Sequence, residues 1–68
     1  MQTRNQYIVP WQKRHWAVKD GNDLKTLRIF RSRQEATAYA KQVAKKNNSC
    51  AFVHSNGTII KVFDFYFN

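Results

Sequence analysis

The 68-residue chain contains one cysteine, one proline, two glycines and four acidic residues. A single cysteine excludes an internal disulfide, and no Cys/His spacing resembles a zinc site. Both glycines, Gly21 and Gly57, lie in turn sequences, so no glycine-rich phosphate loop is predicted. No apolar run has the length of a membrane span, and the N-terminus lacks the apolar segment of a signal peptide. These absences predict a reduced, cytoplasmic protein without a cofactor or metal.

The same scarcity argues against an enzyme. Four scattered carboxylates predict no acid–base pair. Cys50 and His54 lie on the same side of a predicted strand, but they are four residue steps apart, which separates their Cα atoms by roughly 13 Å. That distance is too long for a hydrogen-bonded thiol–imidazole pair. We therefore expect no catalysis and no small-molecule substrate.

Positive charge and aromatic side chains are abundant. Twelve Lys and Arg residues against four Asp and Glu give a formal charge of +8, and five Phe, three Tyr and two Trp are present. Such a charge favours polyanionic partners such as nucleic acid, although it can equally keep a small aromatic-rich domain soluble. A membrane-surface role fits less well, because the predicted helix carries alanines where a membrane helix would carry bulky apolar residues.

The strongest strand signal is a hairpin around Asn56-Gly57, the pair that a type I′ turn prefers. A regular register from this turn pairs His54 with Ile59 and Cys50 with Phe63. The alternation then gives two faces. The apolar face is predicted to be core and contains Ala51, Val53, Ile60 and Val62. The partly solvated, mixed face contains Cys50, Phe52, His54, Ile59, Lys61 and Phe63.

Two strands are predicted near the N-terminus, at residues 7–11 and 15–20. Pro10 lacks an N–H donor, which predicts an edge strand or a strand end. A four-residue loop would place Trp11 opposite Trp16 and Val9 opposite Val18, with Ile8 pointing away from the core. Residues 24–30 form either a third strand or an irregular crossover into a helix.

A helix is predicted over about residues 33–47. Ser32 and Glu35 have the spacing of a capping box at its start. Its apolar residues follow a 3.6-residue period, with Tyr39 and Val43 expected as the deepest anchors. They are Ala36, Tyr39, Ala40, Val43 and Ala44.

These elements predict an α+β domain over residues 7–68, after a disordered N-terminus of residues 1–6. The expected architecture is a single antiparallel sheet of four or five strands in the order β-β-(β)-α-β-β, with the helix on one face. The expected core is Val9, Trp16, Val18, Ile29, Ala36, Tyr39, Ala40, Val43, Val53, Ile60 and Val62.

Five short segments carry a family resemblance: YIVP at 7–10, WAVK at 16–19, QEA at 34–36, VHSNGTI at 53–59 and DFY at 64–66. Together they resemble a family of short bacterial and phage-borne proteins that forms a domain of unknown function. The pattern of that family is V-x-P, W-x-V-K, an alanine-rich helix, V-H-x-x-G-x-I and D-x-Y. The chain departs from it at residues 11–15 and in its more aromatic tail. The resemblance implies this fold and a cytosolic setting, and it implies no activity.

Two binding modes remain open. In the first, Phe52 and Phe63 flank Lys61 beside His54, so that the aromatic rings stack on bases while cations hold phosphates of DNA or RNA. The predicted nucleic-acid-binding residues are Phe52, His54, Lys61, Phe63, Lys13, Arg14, Arg28, Arg31, Lys41 and Lys45. In the second, the aromatic residues are covered, and the chain is a protein-interaction or homodimerisation module that uses its edge strand and aromatic C-terminal tail.

Overall fold

The computed structural model of the chain describes residues 5–21 and 25–65. One helix packs on one face of a five-stranded sheet with the strand order β3-β2-β1-β4-β5. The predicted α+β class and element order are confirmed, and the third strand is present. The elements are β1 (Gln6–Trp11), β2 (His15–Asp20), β3 (Thr26–Phe30), α1 (Arg33–Lys46), β4 (Cys50–Ser55) and β5 (Thr58–Asp64).

The sheet is mixed, so the prediction of a purely antiparallel sheet was wrong. β1 pairs with β4 in parallel through Gln6–Ile8, and the other neighbouring strands pair antiparallel. The cause is the crossover of α1, because a helix that links two strands of one sheet returns the chain in the same direction. β1 is therefore central, not an edge strand. Pro10 is tolerated there because it lies beyond the three β1 residues that pair with β4.

The β1–β2 register differs from the prediction by one residue. Trp11 pairs with His15 and Ile8 with Val18, because the loop contains only three residues. Gln12 and Arg14 adopt φ values of 43° and 62°, which tighten this loop without a glycine. A one-residue shift inverts the alternation of β1. Ile8 is consequently fully buried under α1, which corrects the prediction that it points away from the core.

The β4–β5 hairpin begins as predicted and then departs from a regular register. Asn56 and Gly57 both have positive φ, and His54 pairs with Ile59. A bulge at Ile60 then pairs Val53 with Lys61, so each later residue of β5 faces the side opposite to the predicted one. Val62 accordingly points away from α1. Ile60 and Val62, both predicted to be core, are 49% and 51% exposed.

Each end of α1 has its own cap: a serine side chain at the N-terminal end and a left-handed asparagine at the C-terminal end. Ser32 Oγ accepts a hydrogen bond from Glu35 N–H and donates one to Glu35 Oε1, each at 3.1 Å. At the C-terminal end, Asn48 has a φ of 52°, and Ser49 N–H donates to Ala44 O at 2.8 Å. This is a Schellman-type ending with Asn in the position that usually favours Gly. The predicted helix bounds are confirmed within one residue.

Small residues dominate the interface between α1 and the sheet. Ala36, Ala40 and Ala44 are fully buried, whereas Tyr39 and Val43 are half-buried, so the expected anchors were wrong. Alanines let the helix lie close to the strands, and the larger side chains then fall at its margins. Among the other predicted core residues, Val18 and Val53 are buried, Val9 and Trp16 are half-buried, and Ile29 is exposed. The buried cluster is Ile8, Val18, Ala36, Ala40, Ala44, Ala51 and Val53.

Candidate nucleic-acid interface

The bulge at Ile60 divides the predicted hairpin site between the two faces of the sheet. Phe52 and His54 lie on the face away from α1, because their strand neighbours Ala51 and Val53 point into the core. Lys61 and Phe63 lie on the α1 side. Phe52 and Phe63 therefore do not flank Lys61 together, and the predicted stacking platform does not form. Two separate surfaces take its place.

The first surface is an open groove between α1 and the β4–β5 hairpin, with a volume of about 910 Å³, which we call the basic groove. Among the lining side chains that the structure describes, three are cationic and none is acidic. Gln34 and Thr37 add polar groups that can hydrogen-bond to a ligand. The lining residues are Arg33, Gln34, Thr37, Ala38, Lys41, Val53, Ile60, Lys61 and Phe63.

Helical spacing places one row of these side chains along a single ridge of α1. Arg33, Thr37, Lys41 and Lys45 follow at intervals of four residues, or roughly 6 Å along the helix axis. Lys45 lines a smaller neighbouring groove of about 400 Å³, which shares Ala38 and Lys41 with the basic groove. The cationic row thus continues along the helix beyond the groove itself.

Phe63 holds two cations at the groove. The Lys41 Nζ atom lies 4.6 Å from the ring centroid and the Lys61 Nζ atom 5.5 Å from it. The ring is half-buried against the core cluster, so its position is fixed by packing. Cations within about 6 Å of an aromatic centroid are attracted to the ring. Phe63 therefore positions two ammonium groups and is not a free stacking surface.

The remaining predicted cations lie outside the basic groove. Arg28 belongs to the edge strand β3, and its guanidinium lies 5.5 Å from the Phe30 ring centroid. Arg31 is exposed in the β3–α1 link, and Lys13 and Arg14 are exposed in the β1–β2 loop. Only Lys41, Lys61 and Phe63 of the predicted set line the groove.

The second surface is the sheet face away from α1, which we call the open face. Strand pairing aligns Lys19, Tyr7, Phe52 and Val62 in one row across four strands. The Tyr7 and Phe52 rings stack with centroids 5.3 Å apart and an interplanar angle of 19°. His54 lies beside them, its ring centroid 5.6 Å from that of Tyr7. Sequence reasoning missed Tyr7 here, because this contact depends on the parallel β1–β4 pairing.

Cys50, at the margin of the open face, contacts a carboxylate. Its Sγ donates to Asp64 Oδ1 at 3.4 Å. Burial raises the pKa of the Cys50 thiol, and the hydrogen bond to Asp64 and its negative charge raise it further. A raised pKa is the reverse of what an activated nucleophile needs.

Two further statements apply to residues 5–21 and 25–65. Within these ranges, no three His, Cys, Asp or Glu side chains come together as a metal site would require. No described helix has the length and hydropathy to cross a membrane.

One comparison with known proteins gives a match. A family model described as "Uncharacterized protein conserved in bacteria (DUF2188)" matches residues 6–61. No curated protein and no solved structure matches the chain. The matched range contains β1 to β4, the whole of α1 and every lining residue of the basic groove except Phe63.

Proposed function

Because the chain belongs to this family of uncharacterized proteins conserved in bacteria, we propose its function from its surface chemistry. In this proposal, the chain is a non-catalytic nucleic-acid-binding domain that holds the phosphate backbone in the basic groove. One observation carries the proposal: Arg33, Lys41 and Lys61 line a single groove, and no carboxylate of residues 5–21 or 25–65 lines it. The formal charge of +8 supports a polyanionic partner in the same way.

The expected mode of binding is electrostatic. Lysine and arginine side chains that neutralise phosphates release condensed counterions, so affinity falls as salt rises. Gln34 and Thr37 can hydrogen-bond to phosphate or sugar oxygens, which orients a backbone without reading sequence. The groove therefore supports sequence-tolerant binding, and base stacking on Phe63 is not part of the proposal.

The non-catalytic, cytoplasmic character is also proposed. The thiol of Cys50 contacts Asp64, which disfavours the thiolate that nucleophilic chemistry would require. A free cysteine suits a reducing compartment.

Fluorescence anisotropy with labelled single-stranded DNA, single-stranded RNA and duplex DNA, each over a sodium chloride series, tests the proposal. We expect log affinity to fall linearly with log salt. The comparison among the three probes also identifies the preferred nucleic acid. Affinity no tighter than millimolar at low salt for all three would contradict nucleic-acid binding.

A pair of double variants tests the location. Lys41→Gln/Lys61→Gln removes two positive charges from the groove, and Lys13→Gln/Arg14→Gln removes two from the β1–β2 loop. The groove variant is expected to weaken binding and to reduce the salt slope by roughly 0.7–0.9 per lost phosphate contact. The loop variant, with the same net charge, should bind nearly as the parent does. Equal weakening by both would show that only net charge matters.

A further inference from the structure

The exposed large hydrophobic side chains are concentrated on the open face. Strand pairing places three of the five there among the described residues, namely Ile29 from β3 and Ile59 and Val62 from β5, and Leu27 lies at the bulge between β2 and β3. Ile60 lines the basic groove instead. Half-buried Tyr7 and Phe52 lie between the two edge strands. Contiguous apolar patches of this kind on a soluble protein mark interaction sites.

Charged side chains, in contrast to the exposed apolar ones, are few on the open face and concentrated on the α1 side. Among the described strand residues, Lys19 and Asp64 are the Lys, Arg, Asp or Glu side chains on the open face, so its net charge is close to zero. The α1 side carries Arg33, Lys41, Lys45 and Lys61. Two copies of a chain with a formal charge of +8 repel each other least when their open faces meet and their basic sides point outward.

We propose that the open face is a homodimer interface, on which a second copy of this chain packs sheet against sheet. Facing sheets pack about 10 Å apart, and apolar side chains from both fill the space between them. The Tyr7–Phe52 stack lies near the centre of such an interface, where aromatic anchors contribute most to binding.

The two charges on this face suit a second copy better than an unrelated partner. Lys19 lies on β2 and Asp64 on β5, on opposite sides of the central pair β1–β4. A two-fold axis parallel to the strands, between β1 and β4, stacks β2 of one copy over β5 of the other. Each Lys19 then faces the margin that carries Asp64 of the second copy. The face is thus self-complementary in charge as well as apolar.

The proposal does not rest on nucleic-acid binding. If both hold, the dimer carries two basic grooves on its two outer sides, and a long nucleic acid that reaches both binds with avidity.

Analytical ultracentrifugation of the full chain, from low to high micromolar concentration, measures the dimer directly. Two glutamate variants on β5 localise it. Val62→Glu places a charge on the open face, and Ile60→Glu places the same charge at a site of matched exposure on the groove side. We expect Val62→Glu to raise the dimer dissociation constant by about tenfold or more, because the carboxylate loses its hydration in the interface. Ile60→Glu should leave it nearly unchanged, and circular dichroism verifies that both variants fold.

A charge swap tests the two-fold arrangement. Lys19→Glu and Asp64→Lys each place like charges at facing margins and should weaken the dimer, whereas the double variant Lys19→Glu/Asp64→Lys should restore it. Restoration supports the proposed pairing. A strict monomer at every concentration would overturn the proposal and would favour a different protein as the partner of the open face. Equal effects of Val62→Glu and Ile60→Glu, or a charge swap without restoration, would overturn the assigned interface.

Discussion

The two faces of the sheet are made by the same strands and differ in nearly every physical property. On the face under α1, the fully buried side chains are mostly small, and three alanines from the helix contact the strands directly. On the open face, larger apolar side chains such as Ile29 and Val62 remain about half exposed. The covered face therefore holds the fold together, while the two proposed binding surfaces are the open face and the groove beside the helix.

This difference predicts unequal costs for truncating one side chain on each face. Ile8→Ala removes a fully buried side chain and is expected to destabilise the domain by about 2–5 kcal/mol. Val62→Ala should cost less than about 1 kcal/mol at concentrations where the chain is monomeric. Urea unfolding followed by tryptophan fluorescence measures both.

A domain of this size has little stability to lose, so Ile8→Ala can unfold it outright. Ile8→Val, with an expected loss of about 0.5–1.5 kcal/mol, keeps the comparison measurable. Equal losses at Ile8 and Val62 would mean that the open face contributes to the monomer core.

The alanine interface predicts a smaller loss of stability, caused by overpacking and not by a cavity. Ala40→Leu forces three extra carbons between α1 and the sheet and should cost about 1–3 kcal/mol through overpacking. Ala38→Leu is the matched control, because Ala38 is exposed on the same helix, and it should change stability by no more than about 0.5 kcal/mol. Tolerance of Leu at position 40 would show that the helix is not held close to the strands.

The smallest predicted effect concerns the thiol on the open face. Burial raises the pKa of Cys50 most, and Asp64 raises it further, so Asp64→Asn should lower that pKa and increase the thiolate fraction at mildly alkaline pH. Alkylation by iodoacetamide, followed by mass spectrometry at low protein concentration, should then be faster in the variant. Asp20→Asn removes the same charge elsewhere and should leave the rate unchanged. An unchanged rate in Asp64→Asn would remove Asp64 as a cause of the shift.

Much of the fold could be predicted from the sequence because its signals are local. Asn56-Gly57 marks the hairpin turn, Ser32 and Glu35 mark the start of α1, and strand and helix bounds follow within about two residues. Register is harder. The three-residue β1–β2 loop uses positive φ at Gln12 and Arg14, residue types that do not indicate it, and the bulge at Ile60 has no residue signature either.

The unpredicted register changes altered the candidate site more than the fold, because each change reverses the face of every later residue in its strand. Lys41 and Lys45 were predicted as binding cations, and they line the basic groove and its smaller neighbour, respectively. The bulge brought Lys61 and Phe63 to the same groove and left Phe52 on the open face. The parallel pairing then placed Tyr7 beside Phe52, a contact that only the crossover of α1 explains.

The most direct test of the separation between these two surfaces is one NMR titration of the ¹⁵N-labelled chain. Adding a short single-stranded oligonucleotide should shift amide signals around the basic groove, including those of Lys41 and Lys61, while dilution of the free protein should shift those around Phe52 and Val62. Two separate sets of signals are the predicted result. Oligonucleotide-induced shifts centred on Tyr7, Phe52 and His54 would contradict the account and place nucleic-acid binding on the open face.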